Sequence, residues 1–422
     1  VSARAAGRSL PPRFDARDPS VTQDPYPTYA ELRAFGPLAR GGPGTWLVTR
    51  HAEVSALARD PRLGHELPSE YHRLTLGEGA AARFFQRILF YRDPPVHTRL
   101  RRLMAAAFTP RLVGRVREQI QELVDDLLDR LEADRRFDAI TDLASPLALG
   151  TICRLLGIPT ADQGEVMPRA AALAHGFSLG ADPLRRAETD AAAVWLHEYL
   201  GALLRDRARA PAREDLLSRM GRAAGERLSD DEVIDNCAFL FWAGFETVMS
   251  VIGTGVAALI RFPDQFARLR STPRLVPTAI EEFLRYDAPI QGTSRIVREP
   301  VEVGPYRIRE GRMLVLLLGS ANHDERVFEH PARMDIGRTP NPHLSFGGGP
   351  HHCLGSVLAR EEAAILFSTL ARRYASLSAD GPASRRTAVA WMRFHDSIPV
   401  MIERATLSRD TDVSHRTRYG VA

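Results

Sequence analysis

The chain has 422 residues, 44% of them hydrophobic and 26% charged, with no repetitive bias; this excludes a collagen, a coiled coil or a disordered tail and leaves material for a large buried core. All 56 basic residues are arginine, set against 52 Asp and Glu for a net charge of +4. Without lysine there can be no Schiff-base lysine, no Walker A lysine and no kinase strand lysine, and arginines spread among nearly as many carboxylates argue against nucleic-acid binding.

Residues 1–20 contain arginine and proline but no apolar stretch of signal or anchor length, and read as a loosely ordered N-terminus. Asp24-Pro25-Tyr26-Pro27 opens a helix through Arg33, Thr45 to Thr49 is a strand, and His51 to Arg59 is a helix. From Glu66 to Phe90 no period is firm, and the stretch reads as a long loop free to move. Thr98–Phe108, Arg111–Glu132, Ile140–Leu156, Ala161–Phe177 and Arg185–Arg207 read as consecutive amphipathic helices. Ser229 with Glu232 three residues on is a capping-box signature, and the apolar run behind it carries a helix to about Ile260. The span from Cys237 to Ile260 is long enough to cross a bilayer. Glu246 in its middle and the lack of a flanking arginine pattern make it a buried central helix instead, so no membrane anchor is expected.

Pro263–Arg270 and Val276–Tyr286 are shorter helices; Val301–Val303, Tyr306–Ile308 and Met313–Leu318 are strands joined by the turns Gly304-Pro305 and Glu310-Gly311. A loop rich in Pro, Gly and His runs up to Cys353, the last long helix follows from Leu354 to about Ala375, and 405–422 reads as a loosely ordered tail. No repeat, linker or composition break divides the chain, so one domain over 1–422, mainly α with small β-sheets, is expected. Cys153, Cys237 and Cys353 are too sparse for a disulfide framework, which fits a reducing cytoplasm.

The strongest local signal is Phe346-Gly347-Gly348-Gly349-Pro350-His351-His352-Cys353-Leu354-Gly355. It lacks the lysine and preceding strand of a phosphate cradle. Its adjacent His351, His352 and Cys353 are not spaced for one zinc ion, and a structural cysteine needs no such run of glycines. Glycine amides and a helix N-terminus instead stabilise a thiolate, and glycines let a flat macrocycle approach.

With every fixed position matched, this stretch resembles the haem loop of cytochromes P450, Phe-Gly-x-Gly-x-His-x-Cys-x-Gly. The resemblance extends from Asp24-Pro25-Tyr26-Pro27 to Ile398-Pro399-Val400 and is closest to the soluble, bacterial class I type. It implies the P450 fold, with haem b held between the central helix and the cysteine loop and last long helix. Cys353 would be the axial ligand of the iron. Phe346 would pack near the sulfur among Gly347, Gly349 and Gly355, and His351 would reach a propionate. Ala243-Gly244-Phe245-Glu246-Thr247 resembles the oxygen-binding segment: Ala243 and Gly244 leave room for O₂, Thr247 holds a proton for the reduced oxygen and Glu246 relays protons to it. Phe245 replaces a common histidine. Glu282-Phe283-Leu284-Arg285 resembles the Glu-x-x-Arg pair that holds the meander, with Arg338 as third member, although His323-Asp324-Glu325 stands where Arg-Asp-Pro is usual. His97 and Arg101, four apart on one helix face, and Arg295 match the propionate partners.

By the same resemblance Phe239, Trp242, Ala243, Ile290, Gln291, Thr293 and Phe394 line the substrate pocket, with Arg73 and Arg92 as candidates for an acidic substrate group. The activity implied is a monooxygenase that inserts one atom of O₂ into a C–H or C=C bond, tailoring a secondary metabolite that is free or carrier-linked. Electrons from NAD(P)H would arrive through a ferredoxin reductase and a ferredoxin docked near Arg99, Arg102 and Arg111, and the enzyme would be a cytoplasmic monomer. Oxidative coupling without oxygen insertion is the alternative. A non-catalytic haem sensor is a further one, against which the Glu246 and Thr247 pair weighs.

Overall fold

The computed structural model describes residues 11–16, 18–107, 110–177, 183–209, 213–223, 228–386 and 391–405. Its axis is the helix Asp230–Arg261, begun by a reciprocal cap in which Ser229 Oγ accepts from the Glu232 amide and Glu232 Oε2 accepts from the Ser229 amide. This satisfies two amides that the first turn leaves without partners. Apolar on nearly every side, the helix is buried all round, against Ser145–Leu156, Pro183–Ala208, Val276–Tyr286 and the last long helix, Ser356–Arg373. A Cβ on Gly255 would stand 2.3 Å from Phe367 Cζ, so glycine there sets how closely the last helix approaches. Two helical stretches, Ala139–Leu156 and Asp230–Arg261, are long and apolar enough to cross a membrane, and 61% and 72% of their apolar windows are buried inside the fold, the setting of core helices.

The strands form small sheets beside this helical body. The largest has the order Leu38–Arg40, Thr45–Val48, Met313–Leu316, Thr293–Val297, Leu63–Gly64, antiparallel except where Thr45–Val48 runs parallel to Met313–Leu316. Tyr374–Ala379, Pro399–Arg404 and Arg136–Asp138 make a second sheet, and Ser384–Arg386 pairs with Phe394–Ser397 in a hairpin. The mainly α architecture with small sheets is as the sequence implies, and Val276–Tyr286, Val301–Val303 and Tyr306–Ile308 have the expected bounds.

Three expectations need correction. Glu66–Phe90 is not a loop: it holds the helices Ser69–Leu76 and Ala80–Arg87, short enough to be divided by Gly77 and Gly79, with Phe84 and Phe85 buried. Of the loosely ordered 1–20, residues 1–10 and 17 lie outside the described residues, but Phe14 is buried, Arg13 pairs with Arg40 and Pro19 begins a helix. Residue 405 is likewise bonded, its amide donating to Arg373 O, while 406–422 lie outside the described residues.

Candidate functional site

The cysteine loop is shaped by its glycines. Gly347 and Gly349 have φ of +69° and +66°, and a Cβ on Gly349 would stand 2.6 Å from the Ala58 carbonyl oxygen, so both backbone angle and space require glycine. The Cys353 amide donates to Phe346 O at 2.9 Å, folding the loop back on itself just before Gly355 caps the last long helix. The Arg360 guanidinium lies 4.4 Å over the Phe346 ring, and Arg360 is paired with Glu281. Cys353 is exposed to a cavity of about 340 Å³, within the usual size of a ligand pocket. Burial pushes its thiol pKa up, while the Gly355 and Ser356 amides and the Arg101 and Arg360 charges pull it down.

Ala243, Gly244 and Thr247 line the same cavity from the central helix. A Cβ on Gly244 would meet Ile152 Cδ1 at 2.7 Å, so the missing side chain there makes room for the neighbouring helix. Thr247 Oγ1 donates to Ala243 O at 2.5 Å. Glu246 turns away from the cavity and is buried. Its two carboxylate oxygens accept from Trp242 Nε1 at 2.8 Å and Arg386 Nη1 at 3.0 Å. Arg386 in turn holds Asp396 at 3.0 Å. Burial pushes the Glu246 carboxyl up, and Arg386 and the indole oppose it.

One edge of the cavity is a group of cationic and imidazole side chains, His65, His97 and Arg295 buried and Arg101 and His351 half-buried. Sheet register explains part of this assembly, since Gly64 pairs with Ile296 and places His65 next to Arg295. The His65 and His351 rings stack at 3.5 Å, and His97 lies 4.0 Å from His351. Among the described residues His97 Nε2, His351 Nε2 and both ring nitrogens of His65 are buried without a hydrogen-bond partner. Arg295 is 3% exposed and, among the described residues, bonds only Thr293 Oγ1 and Ser294 O, and burial holds it down at about 10. Burial, with His97, Arg295 and Arg101 beside it, holds His351 down at about 2. Unsatisfied buried ring nitrogens gathered beside the Arg101 and Arg295 charges around a cavity call for an anion within it. A thiol open to the same cavity, with carboxylate-binding groups at its rim, fits an iron tetrapyrrole. Among the described residues no group of three or more His, Cys, Asp or Glu could hold a bare metal ion.

Behind the loop, Glu282 and Arg285 are fully buried and paired in a bidentate fork at 2.8 and 2.9 Å. Arg338 Nε adds a third contact to Glu282 at 3.0 Å. The fork holds the meander by its backbone: Arg285 donates to the carbonyls of Asn322 and Pro331, and Glu282 accepts from the Asp335 amide.

Of the expected pocket residues, Phe239, Trp242, Ala243, Ile290 and Thr293 line the cavity. Gln291 and Phe394 do not. Ile290 pairs with Met392 across an isolated bridge, so Gln291 falls on the opposite face, its Nε2 donating to Ala288 O. Phe394 is buried beneath Trp242 and Met392 in an apolar cluster, with Arg386 over its ring at 5.7 Å. Trp391 and Met392 line the cavity instead, as does Phe177, whose ring stacks on Trp242 at 4.4 Å. Arg73 and Arg92 are paired with Glu70 and Glu66 and do not reach the cavity. Arg99 is paired with Glu232, Arg102 is exposed, and the Arg111 side chain lies outside the described residues.

The family model "Cytochrome P450" matches residues 274–386. The chain is 35% identical over 392 residues to the biotin biosynthesis cytochrome P450 of Bacillus subtilis, covering 90% of this chain and 97% of that protein. It is 39% identical over 368 residues to nocardicin C N-oxygenase of Nocardia uniformis subsp. tsuyamanensis, covering 85% and 90%. A crystal structure of a P450 in complex with hexadec-9Z-enoic acid ligated acyl carrier protein superposes with a TM-score of 0.85 at 34% identity, covering 91% of this chain and 100% of that one.

Proposed function

Because the chain belongs to the cytochrome P450 family, we propose that the Cys353 sulfur would hold the iron of a bound haem and that the cavity it faces receives the organic substrate. The enzyme is a haem-dependent monooxygenase that consumes O₂ and electrons from a redox partner. Bound haem supplies the oxidation, inserting one oxygen atom into a C–H or C=C bond and releasing water.

The chain's own residues anchor, shape and protonate. His97, Arg101, Arg295 and His351 would hold the propionates of haem b, and the buried ring nitrogens of His97 and His351 that lack a partner among the described residues, beside the Arg101 and Arg295 charges, are the observation that carries this reading. His65, with both ring nitrogens unbonded beside Arg295, joins them. Gly347, Gly349 and Gly355 let the backbone carry Cys353 to the macrocycle, with Phe346 shielding the sulfur. Glu282, Arg285 and Arg338 fix the meander on which the loop rests. Thr247 Oγ1 holds a proton at the cavity wall, parked on Ala243 O, and Glu246 one residue earlier is the acid that replenishes it.

The substrate wall of Phe239, Trp242, Ile290 and Met392 is apolar and aromatic, which suits a compact apolar group near Cys353. The substrate is a secondary metabolite, free or carried on an acyl carrier protein, in keeping with relatives that include a nocardicin oxygenase and a structural neighbour bound to such a carrier. The chain, acting as a cytoplasmic monomer, takes electrons from NAD(P)H through a reductase and a ferredoxin that meets Arg102. Titrating the purified protein with candidate metabolites, free and carrier-linked, while recording the Soret band tests the pocket. A high-spin shift with one ligand class names the substrate family, product mass separates insertion from coupling, and absence of any haem band overturns the role of Cys353.

A further inference from the structure

A second pocket, of about 480 Å³, lies apart from Cys353, where Arg13, Arg40 and Arg312 surround the turn Gly41-Gly42-Pro43-Gly44 with Trp46 as one wall. The backbone brings the three arginines together. Arg13 and Arg40 sit side by side in a parallel bridge, with the Phe14 amide donating to Arg40 O at 2.8 Å and the Arg40 amide to Pro12 O at 2.9 Å. The Met313 amide donates to Gly44 O at 3.1 Å, which sets Arg312 against the turn. Gly44 has φ of +74°, and a Cβ there would stand 3.4 Å from Arg312 Nη1, so the guanidinium lies close over the turn backbone. Arg40 Nε donates to Pro11 O at 2.8 Å, which fixes the plane of its fork, and its terminal nitrogens have no partner among the described residues.

None of the three arginines has a carboxylate partner among the described residues, whereas Arg33, Arg87, Arg207, Arg285, Arg373 and Arg393 all do. Residues 1–10 could not supply one, because they contain Arg4 and Arg8 and neither Asp nor Glu. Like charges held side by side repel, and in a concave site an anion offsets that cost. A guanidinium fork matches the oxygens of a carboxylate or a phosphate, but three arginines lining one pocket exceed what a single carboxylate can satisfy. A phosphoryl group, with a charge of about −1.5 to −2 and three acceptor oxygens, matches the set.

We propose that Arg13, Arg40 and Arg312 form a binding site for a phosphoryl group, separate from the haem cavity. The site is one residue from that cavity on two sides. Met313, next to Arg312, lines the cavity, and the Phe14 ring, next to Arg13, lies 6.1 Å from Trp391, which also lines it. A phosphorylated ligand seated here therefore bears on the substrate wall without entering it.

Calorimetric titration of the haem-loaded protein at fixed ionic strength tests this, with inorganic phosphate and phenyl phosphate as probes. The expected result is saturable one-site binding of at least one probe, at least tenfold weaker in Arg312→Gln and absent in the double variant Arg13→Gln/Arg312→Gln, while both variants keep the Soret spectrum and melting temperature of the wild type. Tighter binding of phenyl phosphate identifies an organic phosphate stacked on Trp46 as the ligand; equal binding identifies the free ion. Heat that never saturates, or saturable binding that the double variant retains, overturns the proposal.

Discussion

Arg386→Gln isolates the charge that holds Glu246. The Glu246 carboxylate is 1% exposed and has two partners, the Trp242 indole at 2.8 Å and the Arg386 guanidinium at 3.0 Å. Removing one member of a fully buried pair costs about 3–5 kcal/mol. The Arg386 side chain is 35% exposed, so water screens the pair and fills the vacated space, and we expect about 1–2 kcal/mol. The loss is pH-dependent with a definite sign. Burial already raises the Glu246 carboxyl above its ordinary 4.5, and losing Arg386 raises it further. Below 4.5 the group is protonated in folded and unfolded states alike, so the variant's deficit is smallest there. As pH rises through the ordinary value, both folded proteins keep the proton that the unfolded chain releases and the deficit stays level; it grows once pH passes the wild type's raised folded value and stops growing above the variant's still higher one. Urea unfolding of wild type, Arg386→Gln, Glu246→Gln and the double variant at a series of pH values reads both the deficit and the coupling energy. A deficit that does not change with pH, or a coupling energy near zero, would refute the reasoning.

Other predictions concern the loop, its support and the proton donor. Thr247→Ala should lower product formed per NADPH severalfold and raise hydrogen peroxide correspondingly; unchanged coupling on a product and peroxide assay would contradict the proton-holding role. Arg285→Ala leaves Glu282, 0% exposed, with Arg338 as its remaining charged partner, and should cost about 3–5 kcal/mol and most of the bound haem, read as haem per protein. Glu281 gives an acid-range test. Burial raises its carboxyl, but Arg360 and His343 overrule burial and hold it at about 2, against 4.5 ordinarily. The stability this adds, up to about 3 kcal/mol, is complete above 4.5 and lost as pH falls toward 2, so Glu281→Gln should weaken the protein at neutral pH and converge with wild type in acid, followed by circular dichroism.

What the sequence made legible was what acts locally. Ser229 and Glu232 announced the central helix because a capping box is written within four residues, and Glu282 with Arg285 sits on one helical turn. The cysteine loop was legible because its glycines serve backbone angles and close contacts that no other residue permits. Ser69–Leu76 and Ala80–Arg87 were missed because each is eight residues long, too short for a period to emerge. The Ala81, Ala82, Phe84 and Phe85 pattern was nevertheless a usable sign of a buried helical face. Partners distant in the chain left no local mark. Arg386 reaches Glu246 from 140 residues away, and His65 joins Arg295 only through strand register. Gln291 and Phe394 were assigned to the pocket by position in the chain, whereas strand alternation and the packing under Trp242 decide which side chains reach it.

The central claim is that Cys353 ligates a haem iron as its thiolate, and the absorption spectrum of the reduced, carbon monoxide-bound protein tests it most directly. The wild type should show the strongly red-shifted Soret band that a thiolate opposite carbon monoxide produces, and Cys353→His should lose that band while keeping a haem spectrum. A red-shifted band that survives in Cys353→His, or a wild-type band at the position of a neutral ligand, would contradict the account.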